Sequence, residues 1–368
     1  MEKKKMKFLI DIGHPAHVHY YRNLTFDLTT RGHMVVWTVK DIPIAKRLLD
    51  YYGFSYIVFP KKSDCLIGKI FKQLYYDLKL FIICKKKKID IAIGSSVSIA
   101  HISKISKVKS IVFDDDDDEV QPIVTKFVNP FADYLLSPDA LNGHRKRKDT
   151  IFYPGYHELA YLHPNRFTPD ISVLDEIGLR ENEPYFIMRF NAFTAHHDIG
   201  IKGISLEQKK QLINILEPYG KIFITTEKKI EPELKKFQLT ISPEKIHSLL
   251  YYATMFIGDS QTMTSEAAML GTPSLRCNSF AKSISYLNEE EKKYGLTYSF
   301  STNDFNNLLK KLNELLLIPN LKDNWMKRRD RMLCDKIDVT MFWHWFIENL
   351  PESPAYIKSD EHIWSKFK

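Results

Sequence analysis

The sequence has few cysteines, and their spacing argues against two classes of protein. Four occur among 368 residues, and they are widely scattered: Cys65, Cys84, Cys277 and Cys334. There is no C-x-x-C motif and no Cys/His pair at zinc-ligand spacing, so a zinc module and a disulfide-stapled secreted domain are both disfavoured. The pattern predicts a reduced, cytoplasmic setting.

Long apolar runs are also missing. No stretch approaches the roughly 18 to 20 uninterrupted apolar residues of a membrane span, although 44% of the residues are hydrophobic, which is enough to build real cores. The N-terminal segment MEKKKMKFLIDIG is basic and then apolar. Its apolar part is short, contains Asp11 and precedes no small-residue cleavage site, so we predict a first β-strand there rather than a secretory signal.

Acidic residues are outnumbered by basic ones, which gives a net charge of +8 and a pI of about 9.0. This balance favours anionic partners such as nucleic acids, acidic membrane surfaces or phosphorylated small molecules. The sequence contains no DNA- or RNA-binding motif and no single basic face interleaved with aromatic residues. We therefore expect no nucleic-acid partner.

Short β-branched or aromatic runs alternate with longer helical patterns. In the first half, seven runs predict strands: KFLIDIG, MVVWTV, SYIVFP, IDIAIGS, SIVFD, YLLSP and TIFYPG. The alternation breaks over YHELAYLHPNRFTPD and resumes with predicted strands at YFIMRF, KIFITTE, LTIS, MFIGDS and PSLRC. Such alternation with short loops is typical of α/β proteins with doubly wound parallel sheets.

The break in this pattern divides the chain. We predict an N-terminal Rossmann-like domain over residues 1–155, a connector over 156–183, a C-terminal Rossmann-like domain over 184–345, and a helix end and tail over 346–368. Because open parallel sheets bind ligands outside the carboxyl ends of their strands, the residues that follow each strand are the site candidates.

One such turn lies in MFIGDSQTMTSEAAMLGTPSLR, residues 255–276, between a strand and a helix of small residues. Free backbone N–H groups at a helix N-terminus favour an anion, and Ser260 and Thr262 could add hydroxyl donors. Glu266 is four residues after Thr262 and shares its helix face, within reach of a sugar attached to a phosphate at the turn. Plain helix capping explains the same residues equally well.

Several stretches carry a resemblance to a known family: DIGHPAHVHYYRNL, RGH, IVFDDDDDE, NPFADYLLSP, YPGYHELAYL, FTPD, FIMRF and GDSQTMTSEAAMLGTP. They cover most of residues 7–275. The chain resembles the family called domain of unknown function 354 and, more broadly, the GT-B superfamily, which includes the UDP-GlcNAc 2-epimerases. The resemblance implies a GT-B-like fold of two Rossmann-like domains facing across a cleft.

The same resemblance implies a nucleotide-sugar donor site in the C-terminal domain. It would place the diphosphate on Ser260, Gln261 and Thr262, and the ribose on Glu266. The chain departs from the GT-B pattern at the strand end Arg189-Phe190-Asn191, where no Gly-rich phosphate loop follows.

Further donor-side candidates follow other strands of the C-terminal half. Arg189 could bind a diphosphate in bidentate fashion, or it could form a surface ion pair. Asn191 and His196 come soon after it, and we assign both to the donor; His197 is next to His196, and both histidines could instead lie on a loop without ligand contact. Lys228, after the following strand, is a weaker phosphate candidate.

Three histidines follow the first strand in Gly13-His14-Pro15-Ala16-His17-Val18-His19. Histidine titrates near neutrality and can take a proton from an attacking hydroxyl, and GT-B enzymes often place a base in this loop. We predict His17 as the base with His14 as second choice, and we place Gly13 and His19 on the acceptor side. Capping and packing are the alternative, and we expect at least one histidine to be structural.

The acidic run IVFDDDDDEVQP follows another strand. Five adjacent carboxylates cannot all converge, so we expect most of them to be solvated and one to cap the next helix. The candidates for the base or for acceptor hydroxyls are Asp114, Asp115, Asp116 and Glu119, with Ser95 as a further hydroxyl contact. A metal would resemble the Asp-x-Asp motif of the GT-A fold, but in a GT-B arrangement the diphosphate lies on the other domain, so we predict no metal.

A long amphipathic pattern begins at Leu66 and continues to about Cys84. Apolar residues recur in it at helical spacing: Ile67, Ile70, Phe71, Leu74, Tyr75, Leu78, Phe81 and Ile82. Lysines make the segment Lys69 to Lys88 basic. It is either a helix of the Rossmann layer with a solvated lysine face, or a peripheral docking surface for anionic lipid at the inner face of a membrane.

Together these features favour a GT-B glycosyltransferase that moves a sugar from a nucleotide-diphospho-sugar to a glycan or lipid-linked acceptor in cell-surface polysaccharide synthesis. A helix N-terminus and cationic groups would stabilise the leaving group without a metal or other cofactor. The alternative is a nucleotide-sugar 2-epimerase, which needs several carboxylates around the sugar. A non-catalytic binder of anions or nucleic acid is a third hypothesis, supported mainly by the net charge.

Overall fold

The computed structural model describes residues 5–61, 66–191, 203–226, 229–279 and 281–368. The chain divides into two compact units. The N-terminal unit consists of Met1–Tyr161 together with Ile337–Lys368, and the C-terminal unit consists of Leu162–Lys336. Among the described α-helices, none is long and apolar enough to cross a membrane.

The sheet of the N-terminal unit confirms all seven strands predicted for the first half. They are β1 (Lys7–Ile12), β2 (Met34–Lys40), β3 (Tyr56–Phe59), β4 (Ile91–Ile93), β5 (Lys109–Phe113), β6 (Tyr134–Pro138) and β7 (Ile151–Tyr153). They lie in the order β3-β2-β1-β4-β5-β6-β7, and every pair is parallel. The direction of the strand order reverses between β1 and β4, the point where sheets of this kind bind ligands.

The sheet of the C-terminal unit has five parallel strands. They are β8 (Tyr185–Phe190), β9 (Lys221–Thr226), β10 (Met255–Gly258), β11 (Ser274–Cys277) and β12 (Thr297–Phe300), in the order β12-β11-β10-β8-β9.

Two details of this sheet differ from the sequence prediction. The predicted strand LTIS is wrong: the chain makes only an isolated bridge between Gln238 and Ile224 before Pro243 begins a 3-10 turn. Conversely, β12 was not predicted, because the residues it buries are Thr297 and Ser299. A strand with polar residues on its inner face gives no apolar alternation to recognise.

The described α-helices follow in chain order. They are α1 (Ala16–Thr30), α2 (Pro43–Tyr51), α3 (Leu66–Lys87), α4 (Val97–Ile105), α5 (Pro122–Phe127), α6 (Leu159–Leu162), α7 (Val173–Glu176), α8 (Leu206–Leu216), α9 (Ile246–Tyr252), α10 (Gln261–Met269), α11 (Ser285–Lys292), α12 (Phe305–Leu316), α13 (Leu321–Asp335), α14 (Val339–Glu348) and α15 (Ser353–Ser359).

The aromatic helix α14 belongs to the N-terminal unit. The indole ring of Trp343 stacks on Phe113, the last residue of β5, with ring centroids 4.0 Å apart, and it lies 6.0 Å from the ring of Tyr21 in α1. Burying such rings is strongly favourable. The observed division therefore differs from the predicted boundary at residue 345, since the rings of α14 find their apolar partners on strands and helices far earlier in the chain.

Helix α3 turns most of its predicted apolar stripe away from the sheet. Its buried side consists of Tyr76, Leu80 and Cys84, which share a core with Leu9 and Phe59, and Phe81 of the predicted stripe packs against this core. Five other residues of the predicted stripe are exposed: Phe71, Leu74, Tyr75, Leu78 and Ile82. The helix is therefore apolar on two faces, only one of which the fold covers.

Candidate functional site

Polar residues collect where β1, β4 and β5 of the N-terminal unit end. These strands are neighbours, so their carboxyl ends meet at one edge of the sheet. Gly94 has a φ of +141°, and a Cβ there would lie 2.5 Å from the Asp11 carbonyl oxygen, so the turn after β4 requires glycine. The next residue, Ser95, donates its hydroxyl to the Phe113 carbonyl at 3.3 Å. The predicted acceptor-side residues Gly13 and Ser95 both follow strands of this edge.

Arg145 is the counter-charge of the acidic run. Its side chain is 1% exposed, and Nη1 lies 2.9 Å from the Asp114 carboxylate and 2.8 Å from that of Asp118. Its Nε donates to the Ser137 hydroxyl at 3.0 Å. The backbone N–H of Lys146 donates to the other oxygen of Asp118 at 2.8 Å.

This pairing overturns one expectation about the run. Asp114, Asp117 and Asp118 are buried rather than solvated, and Glu119 is the exposed member. None of these side chains caps the next helix, because α5 follows Gln121, which makes no side-chain capping bond. Buried carboxylates need a paired charge and hydrogen-bond donors, and Arg145 and nearby backbone groups provide them from a segment the sequence pattern did not connect with the run.

Asp115 forms a pair with a buried histidine. One of its carboxylate oxygens lies 3.1 Å from Nδ1 of His157, whose side chain is 2% exposed. The ring of His157 packs edge-on against Trp343 and Tyr20, with centroids 5.3 and 5.2 Å away. Burial acts to raise the pKa of Asp115, but the electrostatic interaction with the ring of His157 outweighs it and holds that pKa below its usual value. Asp115 is therefore ionised at neutral pH.

The neighbouring carboxyl group is driven in the opposite direction. Burial, and then the negative charges of Asp115 and Asp114, raise the pKa of Asp116 well above its usual value. Its carboxyl oxygen accepts a hydrogen bond from the side-chain amide of Gln121. The pKa values of two adjacent carboxyl groups are thus shifted in opposite directions, and such a difference can separate a base from an acid.

His17 lies close enough to this cluster to sense its charge. Burial and the nearby His14 lower the pKa of His17 to about 3, while Asp115 acts in the opposite sense. Its ring is therefore neutral at physiological pH, and the burial that keeps it neutral also makes it a weaker base than an exposed histidine. Within the described residues Nδ1 of His17 makes no hydrogen bond. The ring lies 6.0 Å from that of His14 and stacks on Tyr20 at 5.7 Å.

The other two histidines of this loop have different surroundings. His14 is exposed, and its Nδ1 accepts a hydrogen bond from the backbone N–H of Ala16, the first residue of α1. His19 is buried, and its ring stacks on that of Tyr161 with centroids 5.5 Å apart. The structure thus places His17 within electrostatic range of Asp115 and leaves His19 in the core of the unit.

The first three aspartates of the run could also approach a cation. Each of Asp114, Asp115 and Asp116 offers an oxygen, and these atoms all lie within 4.8 Å of one another. Arg145 already pairs with Asp114, and the raised pKa of Asp116 opposes its ionisation. Both effects weaken the set as a divalent-ion site, since such ions prefer several ionised oxygen ligands.

The turn after β10 organises the candidate site of the C-terminal unit. Ser260 caps α10, because its hydroxyl accepts a hydrogen bond from the Met263 N–H at 3.4 Å. The carboxylate of Asp259 accepts one from the backbone N–H of Asn191 at 2.7 Å, which ties the end of β8 to this turn. Gln261 and Thr262, the next predicted residues, form the first turn of the helix and are partly exposed.

Arg189 and Glu266 have protein partners near this turn. Arg189 lies opposite Gly258 in the parallel register, and its Nη1 donates to the Thr225 hydroxyl at 2.8 Å. Glu266 is buried, and its carboxylate lies 2.9 Å from Nε2 of His247 in α9. The pairing with His247 orients Glu266, a role that sequence reasoning did not find.

A cavity of about 370 Å³ opens beside Thr225. That volume is within the range of small-molecule sites. It is lined by the end of β9 and the following 3-10 turn, including Lys229, Lys235 and Gln238, so it offers positive charge next to apolar walls. The predicted donor residues His196 and Lys228 lie outside the described residues, as does His197.

Comparison with known proteins places the chain in a family. The model of the family described as "Protein of unknown function (DUF354)" matches residues 6–332. The chain belongs to this family. It is also 26% identical over 284 residues to the uncharacterized protein MJ0665 of Methanocaldococcus jannaschii, covering 73% of this chain and 80% of that protein.

Solved structures with the same fold come from two kinds of enzyme. A putative UDP-N-acetylglucosamine 2-epimerase from Listeria monocytogenes matches with a TM-score of 0.68 at 14% identity, over 97% of this chain and 98% of that one. The UDP-GlcNAc 2-epimerase of Neisseria meningitidis, bound to UDP-GlcNAc, matches at 0.66 and 11%, over 93% and 100%. The spinosyn forosaminyltransferase SpnP matches at 0.63 and 14%, over 96% and 100%.

These matches establish that this DUF354 protein has a GT-B-like fold, as the sequence predicted. At such low sequence identity the matches are evidence for the fold and not for the function. Sequence reasoning missed His157, Arg145 and His247 as parts of the candidate sites. His157 did lie within a quoted motif, YPGYHELAYL, at the point where the strand pattern broke, and a lone histidine directly after a strand was the available signal.

Proposed function

We propose that this protein is a glycosyltransferase that uses a nucleotide-diphospho-sugar. The observation that supports it most strongly is the chemistry at the end of β5 in the N-terminal unit, where a neutral histidine, an ionised aspartate and a buried supporting histidine come together. A hydroxyl nucleophile needs such a base when it attacks a sugar.

In this proposal the donor binds to the C-terminal unit. The N-terminal N–H groups of α10 and the guanidinium of Arg189 would hold the diphosphate, and Glu266 would accept a ribose hydroxyl. The cavity lined by Lys229 and Lys235 is suited to the remainder of the nucleotide, because it combines cationic and apolar walls. As the bond to the sugar breaks, the same cationic groups would stabilise the charge that develops on the departing nucleoside diphosphate.

The base in this proposal is His17, with Asp115 as its partner. The neutral ring takes the proton of the acceptor hydroxyl, and the negative charge of Asp115 offsets the burial that disfavours the imidazolium of His17. His157 keeps Asp115 oriented and ionised. The acceptor would be a glycan or a lipid-linked sugar of cell-surface polysaccharide synthesis, and we propose that the enzyme works in the cytoplasm, at the inner face of a membrane when the acceptor is lipid-linked.

Donor binding is the first test. Ligand-observed NMR against a panel of nucleotide sugars should detect at least one donor, and Arg189→Gln should weaken its binding by roughly 10- to 100-fold, as expected for loss of a charge-assisted contact. Arg180→Gln is the matched control, because Arg180 is exposed elsewhere in the same unit. Folded protein that binds no nucleotide sugar would contradict the proposal.

Turnover is the second test, once a donor is known. We expect His17→Gln and Asp115→Asn each to lower kcat by at least about 100-fold. The double variant should lose no more than the worse single variant, because the two residues act as a unit. Glu119→Gln, a neighbour in the same acidic run but exposed, should retain full activity. A chelator should leave turnover unchanged, because the proposed reaction uses no metal.

The second candidate function is a nucleotide-sugar 2-epimerase. It is favoured by the opposite pKa shifts of Asp115 and Asp116, which would supply a base and an acid side by side for elimination and re-addition. Incubating the protein with its donor, without an acceptor, separates the two candidates. Epimerised sugar or released nucleotide in the absence of an acceptor would favour the epimerase.

A further inference from the structure

The exposed stripe of α3 is an apolar surface that the described residues of its own unit leave uncovered. Phe71 is 68% exposed, Leu74 60%, Tyr75 46%, Leu78 61% and Ile82 41%. Each of these residues lies three or four positions from another of them, so together they form one continuous stripe along the helix. An apolar patch of this size on a helix that already has a buried side marks an interaction surface.

Lysines border the apolar stripe. Nζ of Lys79 lies over the rings of Phe59 and Tyr75, 4.7 and 5.6 Å from their centroids, so the ammonium group lies at the edge of the stripe. Lys85, Lys86 and Lys87 are exposed at the C-terminal end of the helix. Apolar side chains flanked by lysine are typical of helices that lie in a lipid interface.

A second copy of this helix could not pair with the first through opposite charges, because its exposed face carries no acidic residue to meet the lysines. The single acidic residue of α3 is Asp77, and it faces inward: its carboxylate accepts from the Gln73 amide at 2.7 Å and lies 3.2 Å from Nδ1 of His101 in α4. Two copies of this surface would bring like charges together, which is unfavourable. A partner with a negatively charged surface and an apolar interior would complement both the lysines and the apolar stripe of α3.

We infer that the exposed face of α3 docks on a membrane containing anionic lipid, with the helix lying in the plane of the bilayer surface. The apolar stripe enters the headgroup and acyl boundary, and the lysines remain at the phosphates. This inference goes beyond the proposed glycosyl transfer and does not depend on it, because it concerns binding by a surface and requires no turnover.

Cosedimentation of the full chain with vesicles tests the inference. Vesicles of phosphatidylcholine with phosphatidylglycerol should bind the protein at low salt, and vesicles of phosphatidylcholine alone should bind it far less. Leu78→Glu should abolish the binding. Leu317→Glu is the matched control, because Leu317 is 75% exposed in the C-terminal unit, and it should bind as the unaltered protein does. Each lysine near an anionic leaflet contributes roughly a fivefold factor, so replacing Lys85, Lys86 and Lys87 with glutamine should weaken binding on the order of a hundredfold.

Three results would overturn the inference. One is failure of the unaltered protein to sediment with anionic vesicles. Another is sedimentation that Leu78→Glu leaves unchanged, or that is equal for the two vesicle types. The third is a concentration-dependent dimer in analytical ultracentrifugation that Leu78→Glu dissociates without any vesicle binding, which would make this face a subunit interface. Circular dichroism confirms folding, and the triple lysine variant repeats the test without altering an apolar residue.

Discussion

Replacing Arg145 with methionine tests whether the acidic run depends on one buried cation. In the folded protein Nη1 contacts two carboxylates, those of Asp114 and Asp118, which are buried together with the guanidinium. Methionine keeps much of the volume and removes the charge. Removing one partner of a buried ion pair costs about 3 to 5 kcal/mol, because the remaining charge is left uncompensated.

The assay is urea unfolding at pH 7, followed by tryptophan fluorescence, for which Trp343 is a probe in the same unit. Arg329→Met is the control with the same substitution. The Arg329 side chain is 16% exposed, but its partner Asp330, at 3.0 Å, is 62% exposed, so the ion pair is open to solvent. A solvent-exposed pair contributes about 0 to 1 kcal/mol. We therefore expect the Arg145 variant to lose several times more unfolding free energy than the control.

The pH dependence gives a second, independent readout. Burial raises the pKa of Asp114, and Arg145 opposes that shift. Without the guanidinium the folded-state pKa rises further above its unfolded value, so the variant gains stability relative to the unaltered protein as the pH falls from 7 to 5. Each additional proton bound in the folded state contributes about 1.4 kcal/mol per pH unit. A loss no larger than that of Arg329→Met, or a penalty that is the same at pH 7 and pH 5, would refute the reasoning.

Two further changes test other buried features. Burial raises the pKa of Glu290 to about 8, and the group accepts a hydrogen bond from the Ser265 hydroxyl at 2.6 Å. Because the folded-state pKa lies above the ordinary value of 4.5, the contribution of this carboxyl group to stability is full below about pH 4.5 and is lost as the pH rises from there to about 8. Glu290→Gln should therefore match the unaltered protein in thermal melts near pH 4.5 and exceed it at pH 9; parallel curves would contradict this. Gly94→Ala should destabilise far more in urea than Gly53→Ala. A Cβ at Gly94 would lie 2.5 Å from the Asp11 carbonyl oxygen, whereas a Cβ at Gly53 would have nothing within 4 Å. Gly53→Ala therefore costs only the left-handed backbone strain of about 1 to 2 kcal/mol. Equal losses for the two variants would exclude the steric clash.

The candidate sites were predictable where the fold places strand ends together. Ser260 and Ser95 follow strands in sequence and occupy helix or strand ends in the structure, as expected for parallel sheets. The supporting residues were not predictable in this way. His157 and Arg145 reach the acidic run from later segments, and the sequence contains no periodic signal that joins a charge to a counter-charge across such a separation.

The contrast between α1 and α3 shows the same limit for packing. The end of α1 was recognisable from Gly32, whose φ of +80° is the left-handed conformation that follows a helix. For α3 the apolar periodicity correctly predicted a helix but marked the face that the fold leaves exposed, because the buried side relies on Tyr76, Leu80 and Cys84. Periodicity reports that a face is apolar and does not report what covers it.

The sequence by itself determined most of the strands, although not β12, and several of the helices and the residues that end them. These depend on local backbone preferences and on the spacing of apolar side chains over a few positions. Only the tertiary structure decided that α14 belongs to the N-terminal unit and that α3 keeps an apolar face exposed. It also decided that Arg145 pairs with buried aspartates and that His157 pairs with Asp115. Each of these depends on contacts between segments far apart in the chain, and the topology of the sheets, rather than any local pattern, brings such segments together.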